Sequence, residues 1–283
     1  MSEPTVRIRT RKKNRVKTRL ILFSALAVLL LIGSVFSAQL TPHDPYRQDL
    51  AHAKAAPSAA HLLGTDRYGR DMLSRVIVGS KTSIYSTLLL VFIVTVIGTG
   101  VGVVCGWRGK WPDTVLMRVA DMFLAFPGLV LALAVAGMLG GGLQNAILAL
   151  AIISWPKYAR LARSQTLAQK EAPYIKAAIL SGSGTAKLLA KHILPNIMGP
   201  ILITAMLDIG TMMMELAGLS FLGLGAKPPT AEWGSMMSDT RSLLTTAPWV
   251  TLSPGFAIFL SVMVFNLLGD TIRDYADPRA RGR

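Results

Sequence analysis

Four carboxylates sit within or at the ends of long uncharged runs: Asp121, Asp208, Glu215 and Asp270. A charged side chain at the centre of a bilayer costs about 2.5–3.5 kcal/mol on insertion scales, so such a group is expected to face a polar partner or an aqueous path. Asp208 and Glu215 are seven residues apart and share one helix face. Two readings fit the pair. It lines a translocation path that attracts cationic or amine-bearing cargo, or it makes a polar contact between helices. Asp270, with Arg273 and Asp274, reads as the end of a last helix near the inner surface. Met206, Met212, Met213 and Met214 bring thioethers onto the same segment as Asp208. Without cysteine or histidine beside them they read as adaptable packing. His43, His52 and His61 recur every nine residues in a polar stretch, and His192 stands apart. That spacing matches no metal-ligand pattern, so no metal site is expected. No HExxH or GxSxG is present, so no catalytic residue is expected. Gly182-Ser183-Gly184-Thr185-Ala186-Lys187 is rich in glycine but lacks the spacing and the following Ser/Thr of a phosphate loop. The chain is expected to bind no cofactor.

The elements that must position these groups follow from where charge is missing. Of the 283 residues 52% are hydrophobic and only 16% charged, against about 25% charged in soluble domains. The net charge of +15 invites a nucleic-acid reading. The basic residues instead flank apolar segments, as membrane proteins place them on the cytoplasmic side, so no nucleic acid is expected as a partner. The one cysteine, Cys105, excludes an internal disulfide. Residues 1–19 form a basic tail. Residues 20–42 are uncharged and too long for the core of a signal peptide, which spans about 7–15 residues. They read as an uncleaved first span. Residues 43–81 form a polar external segment, and 82–272 the remaining transmembrane core, with a cytoplasmic loop at 166–196. Between Asp121 and Lys157 no charge occurs, and glycines 137 and 140–142 with Asn145 break the stretch into two helices. Residues 223–249 form a second external loop, and 273–283 a cytoplasmic tail. The sum is an all-α integral membrane protein of about six spans, each of about 20 residues. Arg47, Lys54, Arg67, Arg70, Arg75, Lys81, Lys227 and Arg241 would lie outside, and the rest of the 30 basic residues inside. This bias puts both termini in the cytoplasm. The external Arg67, Arg70, Asp71 and Arg75 group is expected to fold its segment through ion pairs. The other role open to it is docking an external partner.

The loop at 166–196 has an order of its own. Glu171 and Pro173 open a short helix, as proline suits a first turn, and Gly182 and Gly184 end it. Lys187–His192 forms a second short helix, and Pro195 is expected to close the element. Ala177, Ala178 and Gly182 are small enough to let another surface approach. By spacing alone this is either a docking element or a basic connector lying on lipid.

Lys176-Ala177-Ala178, Gly182, then His192-Ile193-Leu194-Pro195-Asn196 resembles the EAA loop of ABC importer permeases, with Lys176 in the place of its glutamate. Leu63-Gly64-Thr65-Asp66-Arg67-Tyr68-Gly69-Arg70-Asp71-Met72-Leu73-Ser74-Arg75 resembles the LGTDxxGRDxxSR signature of the dipeptide/oligopeptide/nickel permeases. Leu219-Ser220-Phe221-Leu222-Gly223-Leu224-Gly225 resembles their LSFLGLG segment. Asn266 to Asp274 with Asp277-Pro278 resembles their C-terminal NxxGDxxRDxxDP. The long external segment after the first span is similar to that of the C-type subunit. The resemblance implies the type I ABC importer permease fold in the inner membrane of a prokaryote. It implies a heterodimer with a second permease subunit, two cytoplasmic ATPases carrying ATP and magnesium, and an external substrate-binding protein. Glu171, Lys176, Ala177, Ala178, Gly182, His192, Leu194 and Pro195 would then couple the chain to an ATPase. Dipeptides, oligopeptides, nickel and metal chelates all remain open as cargo. The rival reading is an ATP-independent channel or secondary carrier, which would need no docking loop. Carriers show paired interrupted helices in two halves, a pattern not found here.

Overall fold

The computed structural model describes the backbone from Pro4 to Ala276, with side chains from Val16 onward. Asp277, Pro278, Arg279, Arg281 and Arg283 of the expected C-terminal tail lie outside the described residues, as do the basic side chains of the N-terminal tail before Val16. Among the described residues eleven α-helices follow one another: α1 Pro4–Val35, α2 Ser37–Leu40, α3 Met72–Arg108, α4 Lys110–Leu124, α5 Gly128–Met138, α6 Leu143–Lys170, α7 Pro173–Leu180, α8 Thr185–Leu188, α9 Leu194–Leu219, α10 Trp233–Thr240 and α11 Pro248–Ala276. Among the described residues the only β pairing is an isolated bridge between Thr65 and Asp71. In hydrocarbon every backbone N–H and C=O must be satisfied internally, and a helix does this within one segment.

Four helical stretches are long and apolar enough to cross a membrane singly: Val16–Val35, Met72–Arg108, Thr185–Leu224 and Pro248–Ala276. A fifth crossing requires α4 and α5 together, which are bent by 96° where Pro127 follows the end of α4. Proline's missing N–H and ring stop a helix at the preceding residues. Pro156, Pro200 and Pro254 instead lie inside helices. The sixth expected span is α6. It forms a helix of 28 residues, but Lys157, Arg160, Arg163 and Lys170 occupy its second half, so its apolar part is short. The turn between α5 and α6 falls on Gly140, Gly141 and Gly142, all at positive φ.

The chain divides into two compact units, one made of the residues up to Ser86 with those from Met206 onward, the other of Thr87–Ala205. The division falls within α3 and α9.

In the first unit α11 packs along α1 and α10. Backbones approach closely between α9 and α11. A Cβ on Gly210 would meet Asn266 Oδ1 at 2.2 Å, and one on Gly269 would meet Leu207 Cδ2 at 2.9 Å. The polar segment before α3 folds on itself around Asp66. Its carboxylate accepts from the N–H groups of Tyr68 (2.8 Å) and Arg70 (3.0 Å) and from Arg70 Nε (2.6 Å). Arg75 donates to the Pro45 carbonyl at 3.2 Å. Asp66, Arg70, Asp71 and Arg75 are all buried, which is the folding role the charge pairing led us to expect. Arg67 alone reaches out, to Asp239 at 3.6 Å.

The loop after α9 is anchored by Glu232, buried to 2% exposure. It caps α10 by accepting from the N–H groups of Gly234 (2.9 Å) and Ser235 (2.8 Å). Trp233 donates through Nε1 to the Val76 carbonyl at 2.9 Å. Ser83 Oγ lies 3.3 Å from Glu232 Oε1 and accepts from the Trp233 N–H. The segment that reads in sequence as an external loop is therefore clamped onto the first turns of α3.

In the second unit three glycines of α3, Gly98, Gly102 and Gly106, form a stripe against α6. Added Cβ atoms would stand 2.5 Å from Tyr158 Cβ, 2.3 Å from the Ala159 oxygen and 2.8 Å from Thr166 Cβ. Small residues at a spacing of four let membrane helices approach backbone to backbone. Ala159 and Ala162 on the facing helix are fully buried. Charged groups tie the ends: Arg163 forks onto Asp113, with one arm at 2.7 Å, and Lys170 Nζ donates to the Trp107 carbonyl at 2.8 Å.

Candidate functional site

Residues 169–197 of the second unit build a compact hairpin. Pro173 takes the first position of α7, where its missing donor leaves nothing unsatisfied. Gly182 has φ +76°. Its N–H bonds to the Ile179 carbonyl and that of Ser183 to the Ala178 carbonyl, the paired closure of a Schellman end. The chain then turns into α8. Here the structure departs from the expected order. Pro195 does not close the element. Helical structure runs on from Thr185 through a π-turn at Leu189–Ile193 into α9, with Pro195 at its second residue. The π-turn immediately before the proline absorbs the register change that its missing N–H forces.

A small core holds the hairpin. Ile175, Leu188, Ile193 and Ile197 are buried to 2% exposure or less. Asn196 Nδ2 donates to the Tyr174 hydroxyl at 3.0 Å and to the His192 carbonyl at 2.6 Å. The Tyr174 hydroxyl donates to Gln169 Oε1 at 2.5 Å. The His192 ring stands 6.3 Å from that of Tyr174. On the outside lie Glu171, Lys176, Ala177, Gly182, Leu194 and Pro195, with Ala178 half-buried. Lys176 Nζ pairs with Glu171 at 2.9 Å, and this hydrogen bond holds the Glu171 carboxyl below its ordinary pKa. Sequence reading passed over the side chain that ends α7. Leu180, the last residue of α7, is 89% exposed, beside Ile179 at 47%. The available signal was an Ile-Leu pair ending a helix directly before a glycine turn.

Asp208 is buried and Glu215 half-buried on α9. Asp121 pairs with Arg160, which accounts for it as a contact between α4 and α6. Met212 and Met213 are buried, and Met214 is exposed.

Spacing along the chain gave no ligand set, yet His43 and His61 converge on Asp71, with their ligating atoms all within 4.8 Å. His52 stays apart, bonded to Asp49 at 2.8 Å.

Long apolar helices on either side of a polar hairpin mark a membrane-spanning chain. The chain belongs to the family described as binding-protein-dependent transport system inner membrane component, which it matches over residues 98–282. It is 42% identical over 260 residues to the glutathione transport system permease protein GsiD of Pectobacterium atrosepticum, covering 91% of this chain and 86% of that one. It is 39% identical over 251 residues to the dipeptide transport system permease protein DppC of Alkalihalophilus pseudofirmus, with 89% and 83% covered. It is 40% identical over 294 residues to the probable D,D-dipeptide permease DdpC of Escherichia coli K12, with 100% and 99% covered. Among solved structures the fold resembles inward-facing conformations of the MetNI methionine ABC transporter, with TM-score 0.56 and 20% identity over 73% of this chain and 98% of that one. A second resemblance is to an amino acid ABC transporter solved with histidines, at TM-score 0.53 and 18% identity, covering 72% and 94%. The chain is thus a non-catalytic, multi-pass inner-membrane permease of the ABC importer class, with a type I importer fold.

Proposed function

We propose that this chain is one half of a heterodimeric pore that imports short peptides, driven by two cytoplasmic ATPases and supplied by an external binding protein. The observation that carries the coupling role is the hairpin with its own buried core and its exposed Leu180 and Ile179. A rigid element with an apolar tip suits insertion into a cleft of another protein. A connector lying on lipid would need no internal core. Glu171, Lys176, Ala177, Ala178, Gly182, His192, Leu194 and Pro195 would form the coupling element together with that tip, and Mg-ATP would be held by the partner. Both termini face the cytoplasm on this reading, because the basic bias favours it. Peptide cargo is favoured over nickel by the names of the related permeases, which are those of glutathione and dipeptide systems. Asp208 and Glu215 would attract the amino end of such a peptide from one face of α9.

The test is ATP-dependent uptake by the reconstituted assembly, with labelled dipeptide, glutathione and Ni²⁺ offered separately. Gly182→Asp adds a charge at the tip of the hairpin, where a Cβ meets nothing within 4 Å and the positive φ of +76° costs about 1–2 kcal/mol. The expected outcome is peptide uptake that needs ATP and is lost in Gly182→Asp, while the protein still folds. Peptide uptake without ATP, or normal uptake in the variant, would reject coupling through this hairpin. Uptake of Ni²⁺ alone would reject the peptide assignment.

A further inference from the structure

The polar segment between α2 and α3 ends in a cluster to which the proposed function assigns no role. Asp71 is the residue before α3 and caps it. Its Oδ2 accepts from the Ser74 N–H at 2.8 Å and the Ser74 hydroxyl at 2.7 Å. The other oxygen, Oδ1, faces His61 Nδ1 at 2.8 Å. His43 Nδ1 stands 3.8 Å from Oδ2. The two imidazole rings lie 4.9 Å apart between centroids, tilted by 39°. Exposure falls in order across the three side chains: His43 46%, His61 24% and Asp71 2%. The carboxylate is thus fixed at the base, and the rings close over it from the solvent side. The chain brings these residues together across long gaps, with the His43 N–H also bonded to Ser74 Oγ at 3.1 Å.

We propose that His43, His61 and Asp71 form a binding site for a divalent transition-metal ion, with zinc the best fit. Two imidazole nitrogens and one carboxylate oxygen are the donor set of a borderline cation, and of neither Mg²⁺ nor Cu(I). At zinc–ligand bonds of about 2.0–2.1 Å, tetrahedral ligand atoms stand about 3.3 Å apart. His61 Nδ1 stands 2.8 Å from Asp71 Oδ1 and His43 Nδ1 3.8 Å from the other oxygen, and one ligating atom from each residue lies within 4.8 Å of the other two, so the set is within reach of that spacing. Bringing the set to bonding geometry needs a small rotation of His43, the most exposed of the three. Three protein ligands leave a fourth position open to water on the exposed side. Asp71 is acceptor-only when ionised, so His61 carries its proton on Nδ1 in the metal-free state. Metal binding shifts that proton to Nε2 and replaces the hydrogen bond with a coordinate bond. The ion would staple residues 43 and 61 to the start of α3, closing the extramembrane segment at its two ends.

The test uses the untagged full-length chain in detergent, stripped with a chelator and titrated with Zn²⁺, Co²⁺ and Mg²⁺. Isothermal titration should show one zinc per chain, and Co²⁺ should develop the visible absorption of a low-coordinate nitrogen and oxygen site. His43→Ala should lower zinc affinity at least tenfold with an unchanged melting temperature, because its ring is half in solvent. His61→Ala should lower zinc affinity as much and also lower the melting temperature, because it leaves the buried Asp71 Oδ1 without its partner, and His52→Ala should bind as the parent does. Mg²⁺ should not compete. The proposal is overturned if the parent chain takes up no stoichiometric zinc. It is equally overturned if His43→Ala binds like the parent, or if zinc is lost on His52→Ala instead.

Discussion

Truncating Leu180 to alanine separates docking from folding. The side chain is 89% exposed, so its loss removes little buried area from the chain itself. Leucine and alanine are both strong helix formers, so α7 should persist. Stability should move by no more than about 0.5 kcal/mol, the range for surface substitutions. If Leu180 fills a pocket on an ATPase, burying it contributes about 1.5–3 kcal/mol. Most of that is lost on truncation to alanine, and about 2 kcal/mol corresponds to roughly 30-fold in affinity. The contrast is Ile175, on the same helix and fully buried. Ile175→Ala should cost about 2–5 kcal/mol of stability through a cavity in the hairpin core. The assay pairs thermal melting of the permease in nanodiscs with titration of the purified ATPase against it. Leu180→Ala should melt like the parent and bind the ATPase tens of times more weakly, and Ile175→Ala should melt early. Full ATPase affinity in a normally folded Leu180→Ala would refute docking through this tip. Early melting of Leu180→Ala would instead refute the exposed placement of the side chain.

Three further outcomes follow from particular contacts. Gly102→Ala places a methyl 2.3 Å from the Ala159 oxygen, so α3 and α6 must part. Overpacking of this kind costs about 1–3 kcal/mol, read as a lowered melting temperature. Glu232→Ala leaves the buried Gly234 N–H without its acceptor and removes the α10 cap. The expected loss is about 1–3 kcal/mol, and Glu232→Gln, which keeps one acceptor oxygen, should lose less. Lys176→Gln removes the hydrogen bond that lowers the Glu171 pKa, so carboxylate titration by NMR should show that pKa rising toward its ordinary value. The sign for stability is fixed by the same shift. A depressed carboxylate stabilises the folded chain above its unfolded pKa, and that contribution disappears as pH falls through the folded value.

Much of this architecture was legible because a bilayer demands long uncharged helices. The glycine turn at Gly140–Gly142 and the short helix opened by Pro173 and ended at Gly182 stand where local chemistry puts them. Three features were not legible. Pro127 breaks a helix and Pro156 does not, although both lie in one uncharged stretch. Neighbouring helices decide which proline's lost hydrogen bond can be made good. Pro195 was expected to end a helix, but a π-turn ahead of it lets the helix continue. The convergence of His43 and His61 on Asp71 depends on how the polar segment folds around Asp66, which no residue spacing encodes. The glycines at 98, 102 and 106 were readable in principle, since a spacing of four on an apolar helix is a pattern in itself.

That glycine stripe has a mechanical consequence. Side chains that interlock across a gap give way by changing rotamer, whereas two main chains in direct contact have no such slack. Close-packed matter of this kind has low compressibility. α6 runs into the hairpin through Glu171 and Ala172 alone. If Leu180 docks as proposed, a thrust there would travel up α6 as along a piston rod and reach α3 with little of the stroke absorbed on the way.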